Sequence, residues 1–258
     1  MKHALLLSVL LAALALPKPA RADAWADFEN LNSKFYQIDK EQKERISCRI
    51  RSSELDEVMQ KIPQVGEMIA DQIDSFSVTL RPDGVITFVT PRPKLDVGVI
   101  EEVQALQKAL ADTIAQIEKG IWHLLKGATS PKKEDVSDIV MTTKDGKTHI
   151  TLTAIDMDGS KVTLESTEAG ESAVTKETHA TETIDGEDKY IKLDGKYALG
   201  TQTIHSSRTD GIVDDKVQVK YQQLGKTWFP ARIISDGHHG PKKTPFHVEV
   251  AFTDCTGQ

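Results

Sequence analysis

"YQQLGKTWFPARI", Tyr221 to Ile233, folds two extended runs around Gly225-Lys226. Glycine at the first position of a two-residue connection suits a type II′ turn, so the stretch predicts a β-hairpin. With Leu224 opposite Thr227, Gln223 faces Trp228 and Tyr221 faces Pro230. Val217, Val219, Tyr221, Trp228 and Ile234 are then expected on one face, and Gln218, Lys220 and Gln222 on the other with Phe229. Pro230 has no N–H to give to a ladder and belongs at a strand edge or a bulge. A one-residue bulge would swap the faces.

Outward from the hairpin, apolar residues alternate with polar ones at Ile150/Leu152, Val162/Leu164, Ile191/Leu193 and Phe246/Val248/Val250/Phe252. Asp-Gly pairs fall between them at Asp145-Gly146, Asp158-Gly159, Asp185-Gly186, Asp194-Gly195, Asp210-Gly211 and Asp236-Gly237. Both residue types tolerate the positive φ of tight turns, so six such pairs predict an antiparallel meander from Val136 onward, with about eight to ten strands. "FSVTLRPDGVITFV", around Asp83-Gly84, predicts a further hairpin.

Helical spacing dominates before residue 130. Phe28, Leu31, Phe35 and Ile38 recur as on one amphipathic helix, and Val58, Ile62, Val65 and Ile69 mark a second helical stretch, Leu55 to Ile73, that Pro63 should kink or break. The longest stripe is Val99, Val103, Leu106, Leu110, Ile114, Ile117, Ile121 and Leu124. With Asp96 as N-cap it predicts a helix over Val97 to Lys126, roughly 45 Å long, with a bend near Gly120. A helix needing cover beside a large sheet with one apolar face gives an α+β fold: a large curved antiparallel sheet, an incomplete barrel, with N-terminal helices and one long helix packed across it.

The hairpin, with its Gly corner, aromatic pair, proline and Arg-bearing strand, resembles one in the periplasmic lipoprotein-carrier superfamily, the LolA and LolB type. The likeness extends to the helix-and-meander plan and the N-terminal leader pattern. It implies an incomplete barrel closed by helices around an apolar cavity for acyl chains. On that reading Tyr221 and Trp228 share the hollow face of the sheet, and Val103, Leu106, Leu110, Ile117 and Ile121 cover them incompletely. The plainer reading of Trp228 is core or edge cover, and of the long stripe, core.

Met1-Lys2-His3, an apolar run from Ala4 to Leu16 and Ala20-Arg21-Ala22 have the pattern of an export signal over residues 1–22, leaving 23–258 as a single domain. No later run approaches the roughly 20 apolar residues of a membrane-spanning helix. The chain carries a net charge of −7, and losing Lys2, Lys18 and Arg21 would bring it near −10. Such a balance disfavours nucleic acid and anionic membrane surfaces as partners. In an oxidising compartment the two cysteines, Cys48 and Cys255, favour a disulfide over a pair of buried free thiols. Its corollary is that the first helical region packs beside the last strand.

No nucleophile elbow, zinc-protease helix, phosphate loop or dinucleotide fingerprint occurs. "DMDGS", Asp156 to Ser160, has Thr167 where a calcium loop needs glutamate. His238-His239, with His179, His205 and His247, could be assembled into a metal site, but adjacent residues in extended chain point apart, and a solvated loop is the simpler reading. Neither metal nor cofactor is expected, and no enzyme. The sequence is read as a periplasmic or secreted carrier of an apolar or lipidic ligand, with an envelope protein-interaction module as the alternative.

Overall fold

The computed structural model describes residues 21–61, 63–92, 101–125, 133–134, 136–155, 161–179, 182–208 and 211–257. Twelve antiparallel strands form one sheet in the order β3-β2-β1-β12-β11-β10-β9-β8-β7-β6-β5-β4. The edges are β3 (Ile86–Val89) and β4 (Val136–Lys144), so the sheet is open and the fold is α+β with an unclosed barrel plan. The meander runs through β5 (Lys147–Ile155), β6 (Lys161–Glu168), β7 (Ser172–Thr178), β8 (Thr183–Leu193), β9 (Lys196–Arg208), β10 (Gly211–Leu224), β11 (Thr227–His239) and β12 (Thr244–Gly257). These eight and β4 make nine, and with three earlier strands the sheet of twelve exceeds the eight to ten expected. The three are the edge strand β3, β2 (Ser77–Leu80) and β1 (Ile46–Ser52), which the sequence reading did not identify. β1 pairs with both β12 and β2, and so joins the early hairpin to the meander.

Of the six Asp-Gly pairs, two close turns as expected, with φ of 53° and 74° at Asp145 and Gly146 and 50° and 83° at Asp194 and Gly195. Two do not. Asp185-Gly186 lies inside β8 and Asp236-Gly237 inside β11, in register with the neighbouring strands. Both glycines meet close neighbours: a Cβ on Gly186 would stand 2.4 Å from Thr175 Oγ1, and one on Gly237 2.1 Å from the Asp214 carbonyl oxygen. Here the missing side chain serves packing and not turning. Asp158-Gly159 and Asp210 lie outside the described residues.

The first helical region is two pieces. α1 (Arg21–Asn32) ends where the Ser33 hydroxyl donates to the Asn30 carbonyl, and α2 (Ile38–Glu41) follows after a crossing segment. In that segment Tyr36 N–H donates to the Tyr197 carbonyl and Tyr197 N–H to the Lys34 carbonyl, a short parallel bridge to the start of β9. The expected stripe is therefore divided: Phe28 packs at one end of the sheet with Trp25, while Ile38 packs at the other. α1 lies against β4, the far edge from β12, which corrects the expectation that it would neighbour the last strand. It is β1, bearing Cys48, that lies beside β12, and Cys48 is disulfide-bonded to Cys255 across 207 residues.

Pro63 separates α3 (Ser53–Gln60) from α4 (Pro63–Asp74), sitting at a first helical position where its missing N–H costs nothing. α5 (Glu101–Leu125) is the long helix and continues through Gly120. Val99 and Asp96 lie outside the described residues, as does the side chain of Val103. From Leu106 on, the stripe Leu106, Leu110, Ile114, Ile117, Ile121 and Leu125 is buried in the larger core cluster with α3, α4, β1, β2, Phe229, Val250 and Phe252. A smaller cluster joins Trp25 and Phe28 of α1 to Val136, Ile139, Ile150 and Leu152.

Candidate functional site

Register shows what lies on one face of this sheet. Phe252 and Val250 of β12 face the larger core. Val250 pairs with Ile233, Ile233 with Val219, and alternation along β10 carries the same face through Val217, Asp215 and Val213. From there it passes to Gln202, Ile204 and Ser206 on β9, to Asp188, Gly186 and Ile184 on β8, and to Ala173, Thr175 and Glu177 on β7. It continues through Glu168, Ser166 and Leu164 to Ile150 and Leu152, which lie under α1. One face of the sheet is thus covered by α3 to α5 at one end and by α1 at the other.

Between the two covers lies a trough of about 370 Å³ across β7 to β10. Ile184, Ile204 and Val213 give it aliphatic lining, Thr175, Gln202 and Ser206 neutral polar lining, and Glu177 and Asp215 its charges. Gly186 lines it too, on a row running Gly237, Asp215, Ile204, Gly186, Thr175 across the strands. The space beside its Cα is taken by the Thr175 hydroxyl, 2.4 Å from where a Cβ would stand, so the glycine lets Thr175 pack over the strand at the lining of the trough.

Next to the trough the same face is polar and half-buried. Gln202 Nε2 donates to Asp188 at 3.0 Å, Tyr190 Oη donates to Asp188 at 3.3 Å, and the Ser166 hydroxyl donates to Glu168 at 2.8 Å. Burial holds both the Asp188 and the Glu168 carboxyl above the ordinary carboxylate range, opposed by these hydrogen bonds, and the charge of Asp188 pushes Glu168 further up. Glu168 Oε2 is buried without a hydrogen-bond partner. Tyr190 then packs edge-on against Phe35, ring centroids 5.0 Å apart. Beyond Phe35 is a second hollow of about 700 Å³, with Trp25, Phe28 and Phe35 among its walls and Lys40, Lys133, Lys196, Glu29, Glu41 and Glu134 around it. Lys196 is paired with Glu41.

The residues expected to form a ligand wall are placed as follows. Tyr221 packs against the larger core and its hydroxyl donates to the Leu199 carbonyl at 3.1 Å. Leu106, Leu110, Ile117 and Ile121 belong to that same core. Trp228 is half-buried, its backbone N–H donates to Tyr36 Oη at 2.9 Å, and its indole N–H is buried without a partner. The aromatic that the hairpin contributes to the core interior is Phe229, fully buried and edge-on to Phe252 at 5.3 Å. Pro230 pairs with Tyr221 and Arg232 with Lys220, which leaves Ala231 as a bulge. The bulge brings Ile233, and not Ile234, opposite Val219. Among the described side chains, none of the expected wall residues lines either hollow.

The opposite face of β9 to β12 carries two histidine–aspartate pairs, His205 with Asp214 at 2.5 Å and His247 with Asp236 at 2.6 Å. His238 pairs in register with Asp214, and the side chain of His239 lies outside the described residues. Among the described residues no three His, Cys, Asp or Glu side chains converge as a metal site would require. "DMDGS" lies outside the described residues. No described helix is long and apolar enough to cross a membrane. No protein-family model, curated protein or solved structure matches this chain.

Proposed function

We propose that the protein is an exported binding or carrier protein for an apolar or lipidic ligand, and that the ligand lies in the trough across β7 to β10. The observation that carries this reading is the gap between the two helical covers: α5 seals one end of the face, α1 the other, and the strands between them present aliphatic side chains around a concavity. A few hundred Å³ is the usual size of a small-molecule site, and the trough sets three aliphatic side chains, Ile184, Ile204 and Val213, among five polar ones. The Cys48–Cys255 bond supports an oxidising compartment. An open antiparallel sheet with helices on one face is the plan that the resemblance to the periplasmic lipoprotein carriers implies, in which an incomplete barrel holds acyl chains. In this reading the long helix is wholly structural and the ligand site moves from its stripe to the middle of the meander.

The test is titration with the neutral dye N-phenyl-1-naphthylamine. The wild-type chain is expected to give saturable fluorescence enhancement, and Ile204→Trp, which fills the trough from its floor, to abolish it with an unchanged circular dichroism spectrum. Absence of saturable binding in the wild type, or equal binding by the variant, overturns the proposal.

A further inference from the structure

Resting on the trough reading, we infer that its ligand is an aliphatic chain ending in a cationic group, an alkylammonium, with the cation at Asp215 and the chain across Ile204 and Ile184. The charged side chains that line the trough are both carboxylates, Glu177 and Asp215, and no lysine or arginine lines it among the described residues. The two differ in what they already hold. Glu177 Oε1 lies 2.8 Å from His179 Nε2, so an imidazole already partners it. Asp215 is held by the neutral Ser235 hydroxyl at 2.7 Å. Burial raises its pKa, opposed by the Ser235 hydroxyl and the Lys216 backbone N–H that donate to it, and the neighbouring Asp236 raises it further, so neutral donors hold the ionised form. The hydroxyl of Ser235 occupies one carboxylate oxygen, Oδ1. A carboxylate has two acceptor oxygens, and an ammonium has three donors but no acceptor.

The surroundings select against the opposite charge. Asp188 and Glu168 stand on the same face one row from the trough, both half-buried, with neutral partners at Gln202, Tyr190 and Ser166. A fatty-acid or phosphate head set here would add negative charge to a face that already holds four carboxylates, Glu168, Glu177, Asp188 and Asp215. From Asp215 the face runs on to Ile204 directly across on β9, and to Ile184 one strand further, so a chain bound at Asp215 has aliphatic floor beneath it. Strands are spaced about 4.8 Å apart, so the floor from β10 to β7 is roughly 14 Å wide. That is enough for a chain of about ten carbons.

The experiment is displacement of N-phenyl-1-naphthylamine from the full, unreduced chain at neutral pH by dodecylammonium, dodecanol and laurate, each below its micelle concentration. Dodecylammonium is expected to displace on the order of tenfold more tightly than dodecanol, and laurate more weakly than either. Asp215→Asn should bring dodecylammonium to the level of dodecanol, while Glu177→Gln should change the ratio little. If the Asn variant does not fold, added salt on the wild type serves instead, because screening should weaken dodecylammonium and leave dodecanol unaffected. Equal displacement by ammonium and alcohol, or tighter displacement by laurate, overturns this inference and leaves the trough reading intact. If no amphiphile of any charge displaces the dye, the trough reading fails with it.

Discussion

At the scale of single residues, the half-buried carboxyls of Asp188 and Glu168 should control how stability depends on pH. Both bind their protons more tightly in the folded chain than in the unfolded one, because burial penalises the ionised form. Folding therefore takes up protons between the ordinary carboxylate range and the raised folded values. Their contribution is fully present below the ordinary range, near pH 4, and is lost as pH rises through the folded values. The double variant Asp188→Asn, Glu168→Gln removes that dependence while keeping the shapes, and each amide retains one acceptor oxygen for the Gln202 or Ser166 donor. In urea denaturation it is expected to be more stable than wild type at about pH 7, with the gain shrinking as the pH falls toward about 4. A difference independent of pH, or one that grows on acidification, would show that these two groups are not under burial strain.

At the scale of elements, the β10–β11 hairpin is a packing device. Its turn places Phe229 at 0% exposure against Phe252, while the bulge at Ala231 resets the register so that Ile233 reaches the row of Val219 and Val250. Truncation of a fully buried phenylalanine removes transfer free energy and leaves a cavity. Phe229→Ala is therefore expected to cost about 3–5 kcal/mol of stability. Because Phe229 lines neither hollow, the remaining folded protein should bind N-phenyl-1-naphthylamine as before. Chemical denaturation and dye titration of the same sample check both halves. Loss of binding without loss of stability would return the ligand site to the hairpin. Gly237 in β11 is under a related constraint: a methyl group there meets backbone, the Asp214 carbonyl at 2.1 Å, and the Phe246 ring at 2.7 Å. Gly237→Ala should thus destabilise by about 1–3 kcal/mol, the usual range for overpacking. Gly186→Ala meets the Thr175 hydroxyl, a side-chain end that can rotate away, and should cost less.

At the scale of the whole molecule, the chain is closed on itself between the third and fourth of the twelve strands in sheet order. β1 and β12 are neighbours, so residues from the start and the finish of the described fold share a ladder, and the disulfide fixes that seam. A cross-link over 207 residues removes much of the freedom of the unfolded chain. The chain-entropy relation puts its contribution at up to roughly 5 kcal/mol, an amount that engineered bridges often fall short of. Reduction is expected to lower the urea midpoint accordingly. Alkylation of the native, unreduced protein should label no thiol, and labelling of two would contradict the bond. The helical covers are distributed around the seam unequally, with four helices, α2 to α5, against the β1–β3 and β10–β12 end and one, α1, against β4 to β6. Among the described residues no helix covers the same face of the middle strands.

Local physics in the sequence was sufficient for the strands and helices themselves. Alternation at Val217/Val219/Tyr221, the 3.6-residue stripe from Leu106 to Ile121, the Pro63 break and the true turns at Asp145-Gly146 and Asp194-Gly195 each follow from residue types within a few positions of one another. So does the pairing of two cysteines in an even count. β1 was missed because "ISCRIRS" carries two arginines among its alternating apolar residues and is only seven residues long. What tertiary structure alone decided was which apolar surface is sealed. An apolar stripe looks the same in sequence whether it lines a hollow or fills a core, and the long helix fills one. Asp185-Gly186 has the composition of a turn, but strands β7 and β9 on either side hold it extended, and the absent side chain makes room for the Thr175 hydroxyl. The trough residues Ile184, Ile204 and Val213 come from three strands and carry no shared local pattern. Register across the meander brings them together, and register is set by the sum of pairings along the sheet.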